Sequence, residues 1–386
     1  MDASLENRLV RLESYLQQDP GNPHLLADAF DAALSSGELD RAAFHLAHAT
    51  ALGLIELAWL NRGIDLALAR HEWDVAIEQL NQLRGMPGLP ASAENVIRHN
   101  LAYAELGRGN LPAAQAALDV VFARDAIHTI PGPMQVLWLR VLHRLGRLDD
   151  GVSWAYGNEA GLAPEALGVA SLMAFDAGRT GEAERWSQCA IREDAGPIPI
   201  EALITQASLQ LAAGDTESAR YLIDRALEQN AEDGRTWSTK GFVELLDQHF
   251  PLAENAFYRA VRFMPMHIGT WNGLGWTAIM NRKYGEATQA FERALEIDRN
   301  FAESHGGLAV AHALCGKVDL ARISIARAEG LDKDGLAARY ANAILSGEAA
   351  DSQAIRRLAK RLLTLRIGST GQQLLGNLLK RVESGS

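Results

Sequence analysis

The chain has 386 residues, 48% hydrophobic and 22% charged, with 12 Pro and a net charge of −11. That balance can bury a core and excludes low-complexity disorder, and the length suits two or three ordinary domains or one long array. The acidic balance argues against a nucleic-acid partner, since such binding depends on Lys and Arg neutralising phosphate.

The opening residues, MDASLENRLVRLESYL, carry acids and no continuous apolar stretch, so a secretory signal is not expected. No stretch approaches the roughly eighteen consecutive apolar residues of a membrane span. A soluble, cytoplasmic chain is the expectation. Residues 3–19 read as a helix inside an N-terminal segment 1–22, closed by the stop-and-restart run Asp19-Pro20-Gly21-Asn22-Pro23.

From residue 23 onward a turn residue is followed five positions later by a small one. The pairs are Gly37/Ala42, His71/Ala76, Gly109/Ala114, Gly146/Gly151, Gly178/Ala183, Gly214/Ala219, Gln248/Ala253, Arg282/Ala287 and Gly316/Ala321. The second members are spaced 34, 38, 37, 32, 36, 34, 34 and 34 residues apart, which predicts about nine units of one repeat over residues 23–335. Longer connections at 85–93, 124–133 and 194–199 absorb the excess spacing as loops. Apolar residues at i, i+3, i+4 and i+7 in LAENAFYRAVRF and EATQAFERALEI mark helices. A helix pair cannot bury its apolar face alone, so neighbouring units must stack.

The strongest unit places Trp237, Gly241, Ala253, Phe257, Ala260 and Pro265 at positions 4, 8, 20, 24, 27 and 32 of a 34-residue frame. The next repeats it with Trp271, Leu274, Gly275, Ala287, Phe291 and Ala294. This spacing resembles the tetratricopeptide repeat. The resemblance implies an all-α, right-handed superhelical solenoid of helix-turn-helix repeats with a helical C-terminal cap. Gly241 is expected to face Ala253, and Gly275 to face Ala287, with the residue at position 24 filling the gap toward the next unit. The signature weakens in the earlier units, where Phe30 and Ile64 take the small position 8 and the fourth unit pairs Leu139 with Gly151.

No phosphate loop, nucleophile elbow or zinc-protease motif is present, so catalysis has no visible home and no cofactor is expected. His45 and His48 lie one turn apart without a third ligand at a telling spacing, which is too little for a metal. His305 and His312, at positions 4 and 11, read as packing residues. Cys189 and Cys315 stand 126 positions apart and read as buried small hydrophobes. Glu254, Glu286 and Glu292 read as solvated helix faces.

Recognition is the chemistry that remains. In such an array the first helix of each pair faces inward at positions 2, 5, 9 and 12. These positions select Asn61, His99, Tyr103, Arg140, His143, Phe175, Phe242, Asn272 and Trp276 as candidate groove residues, with Asp65, Leu172 and Leu245 beside them. Aromatics and Arg among amides suit a peptide groove. The rings at position 9 (Tyr103, Phe242 and Trp276) are expected to stand in the groove and add little to folding, whereas Trp237 and Trp271 hold helices together. One subclass of the family clamps a terminal carboxylate with Lys, Asn and Arg. Asn61 and Asn100 are of a suitable type, but the cations at the neighbouring positions are absent, and that specificity is not assigned.

Past residue 335 the signature fades while apolar stripes continue, so residues 336–386 read as a degenerate repeat with C-terminal capping helices. Residues 351–386 carry seven Lys and Arg against two acids, a net +5 that leaves −16 for the rest. Two readings of that basic segment stay open: a solvated cap, or a docking helix for an acidic partner or an anionic membrane surface. The resemblance implies a non-enzymatic scaffold or adaptor that holds a partner peptide or helix. Bacterial proteins of this kind serve pilus, secretion or envelope assembly. A secretion or assembly chaperone and a regulatory subunit of a separate enzyme are the alternatives. Deleting residues 351–386 separates the readings of the C-terminal segment. A cap leaves an uncovered apolar face and a truncated chain that aggregates or dimerises on size exclusion. A docking helix leaves a monomer of unchanged melting temperature.

Overall fold

The structure is a computed structural model that describes residues 3–87, 91–192 and 198–348. Among the described residues it contains α-helices and two short 3-10 turns, with no strand. The chain divides into two compact units at Ala166/Leu167. In the first, α1 (Ala3–Gln18) precedes the pairs α2 (Pro23–Ser35) with α3 (Leu39–Ala51), α4 (Leu57–Ala69) with α5 (Trp73–Arg84), α6 (Ala91–Gly107) with α7 (Leu111–Arg124), and α8 (Gly132–Arg144) with α9 (Leu148–Asn158). Helix α10 (Pro164–Asp176) begins at the boundary and pairs in sequence with α11 (Thr180–Ala190). The second unit continues with α12 (Ile200–Ala213) and α13 (Thr216–Gln229), α14 (Gly234–Leu246) and α15 (Phe250–Phe263), and α16 (Ile268–Met280) and α17 (Tyr284–Ile297). Its last described helices are α18 (Ala302–Leu314), α19 (Val318–Leu331) and α20 (Leu336–Leu345). The fold is an all-α solenoid of tetratricopeptide-like helix pairs. The basic segment 351–386 lies outside the described residues.

One backbone device joins the helices of each pair. Gly37, Gly109, Gly146, Gly178, Gly214 and Gly316 all have positive φ, between 71° and 84°. His71, Gln248 and Arg282 adopt the same left-handed conformation at φ 59°, 62° and 61°. These are the nine turn residues that the sequence spacing picks out. Two hydrogen bonds lock each turn: at Gly214 its N–H donates to Leu211 O at 3.0 Å, and Asp215 N–H donates to Gln210 O at 2.9 Å. The same pattern recurs at Gln248, where its N–H donates to Leu245 O and His249 N–H donates to Glu244 O. This is the Schellman closure, which satisfies the last carbonyls of one helix while reversing the chain into the next. Asn110 and Asp215 then cap the following helices, accepting from Ala113 N and Ser218 N.

Packing between the later pairs turns on two phenylalanines. Phe257 and Phe291 are fully buried. A Cβ added at Gly241 would lie 2.7 Å from the Phe257 ring, and one at Gly273 of the next pair would lie 2.5 Å from it. Phe291 sits in the same way between Gly275 (2.7 Å) and Gly307 (2.3 Å). Each ring is therefore a wedge that glycines on two successive first helices admit. This corrects the expectation that Gly241 and Gly275 are small in order to face Ala253 and Ala287: the position-24 ring of their own unit fills that space. The fourth pair reverses the sizes, and Leu139 and Gly151 are both buried.

Polar contacts fix the rest. Gln135 is buried on α8 and ties two connections together. Its amide donates to Ile130 O at 2.9 Å and Gly161 O at 3.2 Å, and its carbonyl accepts from Ala163 N at 2.8 Å. In the second unit the buried Glu244 carboxylate accepts from Arg220 and contacts His249 Nδ1 at 2.9 Å, while Arg220 also reaches Asp247 at 2.9 Å. A buried carboxylate without such partners would be costly. At the start of the chain Glu13 accepts from Arg41 and faces His45, and the Arg41 hydrogen bond outweighs burial and holds its carboxyl below the ordinary value. Cys189 and Cys315, expected to be buried, are exposed: Cys189 lies on the outward face of α11 and Cys315 in the turn after α18, so apolar sequence neighbours did not place them inside.

Two glycine substitutions separate backbone strain from crowding. No heavy atom lies within 4 Å of a Cβ at Gly214, so Gly214→Ala is expected to cost only the left-handed backbone penalty, about 1 kcal/mol. Gly241→Leu must displace the Phe257 ring, at roughly 1–3 kcal/mol or more, and should broaden the transition because an array's stability is close to a sum of local terms. Urea unfolding of both variants measures the difference, and equal shifts would contradict the wedge.

Candidate functional site

The candidate residues of the first unit fall on its first helices. Asn61 is exposed on α4. His99 and Tyr103 lie on α6, and Arg140 and His143 on α8, which touches α6. His99 is half-buried, with Nδ1 3.1 Å from the side-chain oxygen of Asn100. Tyr103 is 43% exposed, and its ring meets Trp73 edge-on at 5.8 Å. Trp73 in turn stacks on His71 at 4.8 Å. One face of Tyr103 is thus committed to packing. Asp65, exposed near Asn61 on α4, has its carboxyl raised above the ordinary value by partial desolvation and by the nearby Asp31, with Arg62 opposing.

The second unit contains a candidate site. A cleft of about 710 Å³ runs along its first helices. Phe175 of α10, Leu211 of α12 and Phe242 of α14 supply apolar surface, and Ile268 and Phe301 continue it at the starts of α16 and α18. Ser208, Ser238 and Thr239 add hydroxyls. Charge comes from Arg235, Asp176, Glu303 and Asp332, with Arg235 bonded to Asp176 at 2.8 Å. Helices α12, α14, α16 and α18 touch in succession, so these side chains form one continuous wall.

Two candidates from the sequence, Phe175 and Phe242, line this cleft. Asn272 and Trp276 are placed differently. Asn272 is buried, its side-chain oxygen accepts from Ser304 Oγ at 2.9 Å, and it joins two first helices. Trp276 is half-buried and lines a small cavity of about 40 Å³ with Ala302, Gly306, Ala328 and Leu336. The position-9 rings were expected to stand clear of the core, and two of them do not. Phe242 packs edge-on against Phe257 at 4.9 Å, and Trp276 against Phe291 at 5.8 Å. Both are half-buried, each covered on one side by a wedge ring. Ser208 and Leu211 are lining residues that the sequence reading passed over, although they hold positions 9 and 12 of their own unit.

The tryptophans at position 4 behave as structural staples. Trp237 Nε1 donates to Ala231 O at 2.8 Å and Trp271 Nε1 to Pro265 O at 2.7 Å, closing the connection ahead of each first helix. His305 and His312 are buried, as packing residues should be. His305 Nε2 sits 2.9 Å from Arg299 O, in the place of the indole N–H. Burial, followed by Lys317, lowers the pKa of His312. Among the described residues no group of three or more His, Cys, Asp or Glu could hold a metal ion, and no helix is long and apolar enough to cross a membrane.

No family model matches the chain, and no curated protein does. Solved structures do. An IFIT1 monomeric mutant with m7Gppp-AAAA is similar at TM-score 0.55 and 14% identity, over 94% of this chain and 90% of that one. A tetratricopeptide repeat protein from Parabacteroides merdae is similar at TM-score 0.44 and 15% identity, over 65% of this chain and 98% of that one. A MamA fragment from Desulfovibrio magneticus is similar at TM-score 0.37 and 18% identity, over 44% of this chain and 96% of that one. The likeness to IFIT1 is one of fold.

Alanine variants should rank these aromatics. Trp271→Ala loses a hydrogen bond and a half-buried ring, an expected cost of roughly 2–3 kcal/mol, below that of a fully buried ring. Phe242→Ala should cost about 1–2 kcal/mol through its contact with Phe257. Tyr221, 64% exposed on α13, should change stability by less than about 0.5 kcal/mol. Chemical denaturation gives the order, and Phe242→Ala as neutral as Tyr221→Ala would place its ring outside the core.

Proposed function

We propose that this chain is a protein-interaction scaffold that holds an amphipathic peptide or helix of a partner in the cleft of its second unit. The observation that carries the reading is the cleft itself. Its size of about 710 Å³ falls in the range of ligand sites. Apolar side chains from five successive first helices form its wall, with hydroxyls and charges among them. Such a surface can take the apolar face of a helix at several points while the polar groups set its direction. Phe242 is the central anchor, since its ring is held edge-on by Phe257 and loses little freedom on binding.

The ligand of IFIT1, m7Gppp-AAAA, does not transfer on chemical grounds. Phosphates call for cations, and here Asp176, Glu303 and Asp332 accompany the single Arg235. Within this proposal the binding falls to the second-unit part of the array of residues 23–335. The setting implied by the resemblance, a pilus, secretion or envelope assembly, belongs to the same proposal, as does a cytoplasmic location.

Selection from a displayed peptide library against the full chain tests the reading. Enriched peptides should carry apolar residues at helical spacing. Phe242→Ala should weaken the best of them about thirtyfold, the equivalent of about 2 kcal/mol, while Tyr221→Ala leaves affinity unchanged. Peptides whose affinity ignores Phe242 would move the binding surface elsewhere.

A further inference from the structure

We propose that the chain's own basic segment, residues 351–386, occupies the cleft of the second unit and competes there with a partner's peptide. The proposal rests on the reading of that cleft as a peptide site and names its resident occupant. The segment lies outside the described residues.

Charge is the first ground. The cleft presents Asp176, Glu303 and Asp332 against Arg235. The segment holds most of its positive charge in Arg356, Arg357, Lys360, Arg361 and Arg366, and its net charge is +5 in a chain of −11. Opposite signs of this kind steer and register a contact. Apolar pattern is the second ground. Leu374, Leu375, Leu378 and Val382 fall at the spacing of one helix face. That is the complement of a wall built from Phe175, Leu211, Phe242 and Phe301.

Reach is the third. Asp332 lines both the cleft and the small cavity that Leu336 closes, so α20 starts at the cleft's edge. Its 10 residues carry the chain only about 15 Å away. Twenty-five residues lie between Glu348 and Leu374, and extended they could span up to about 85 Å. A tether of that kind gives an effective concentration near the millimolar range, so even a weak intrinsic contact would be mostly formed. A partner would then have to displace the segment, which sets a threshold for its binding.

The test uses the full chain with the photo-crosslinking amino acid p-benzoylphenylalanine in place of Phe242, or of Ser208 should the larger group at 242 disturb packing. After irradiation at low micromolar concentration, mass spectrometry of the monomer should find crosslinks to residues 349–386 of the same molecule. Replacing Arg356, Arg357, Lys360 and Arg361 together by Glu should lower their yield about fivefold or more. The same group in place of Tyr221 should give none. In the unlabelled chain, L375D with L378D should tighten binding of the library-selected peptide about tenfold by removing its competitor.

Crosslinks that fall elsewhere, crosslinks that join two copies, or a yield indifferent to charge reversal would overturn the proposal. If the selected peptide still depends on Phe242 in that event, the cleft remains a peptide site and self-occupancy alone falls. If neither crosslinks nor peptide depend on position 242, both readings fall together.

Discussion

The architecture depends on a reversal made by one left-handed residue. At each of nine turns a residue with positive φ lets two backbone hydrogen bonds close the end of one helix and start its antiparallel partner. Six of the nine are glycine, which enters this region without steric penalty. At His71, Gln248 and Arg282 the surrounding pair holds a residue there against a cost of about 1–2 kcal/mol. A repeated reversal of one hand sends alternate helices to alternate sides. In the second unit this brings the first helices together as neighbours, and the continuous wall of the cleft follows from it.

What joins one pair to the next is a matter of volume. Phe257 and Phe291 occupy the space that glycines on two consecutive first helices leave open. Because each ring spans from its own pair to the next, it couples units that would otherwise be nearly independent. The same rings also support Phe242 and Trp276, which lean on them edge-on. On the proposed reading of the cleft, stability and recognition share the Phe242 ring. An anchor that is already held in place binds with little loss of freedom, which is the physical reason a half-buried Phe242 suits the centre of a cleft.

Charge is distributed with the same economy. Glu244, the most deeply buried carboxylate of the Arg220 network, is satisfied by Arg220 and by the ring nitrogen of His249. Arg235 is bonded to Asp176 across first helices within the second unit. The cleft sets Glu303 and Asp332 among apolar lining residues, against the single lining cation Arg235. That asymmetry, set against the basic charge concentrated after residue 350, motivates the view that the chain carries a ligand for its own groove.

The sequence by itself determined the helical class, the positions of all nine turns and the two aromatic wedges, because each is written in local chemistry: glycine or a tolerated substitute at the turn, a small residue five positions on, and helical apolar spacing. It also marked Phe175 and Phe242, since inward-facing positions recur with the period. Only the tertiary structure decided what those residues touch. Gly241 is small for Phe257 and not for Ala253, a choice set by the volume between helices that residue spacing does not reveal. Asn272 and Trp276 share the register of groove residues, yet contacts from the following pair enclose one and half-enclose the other. Ser208 and Leu211 become cleft residues, and Cys189 and Cys315 come to the surface, through the stacking of neighbours. Burial in an array is a property of adjacent pairs, and no single repeat encodes it.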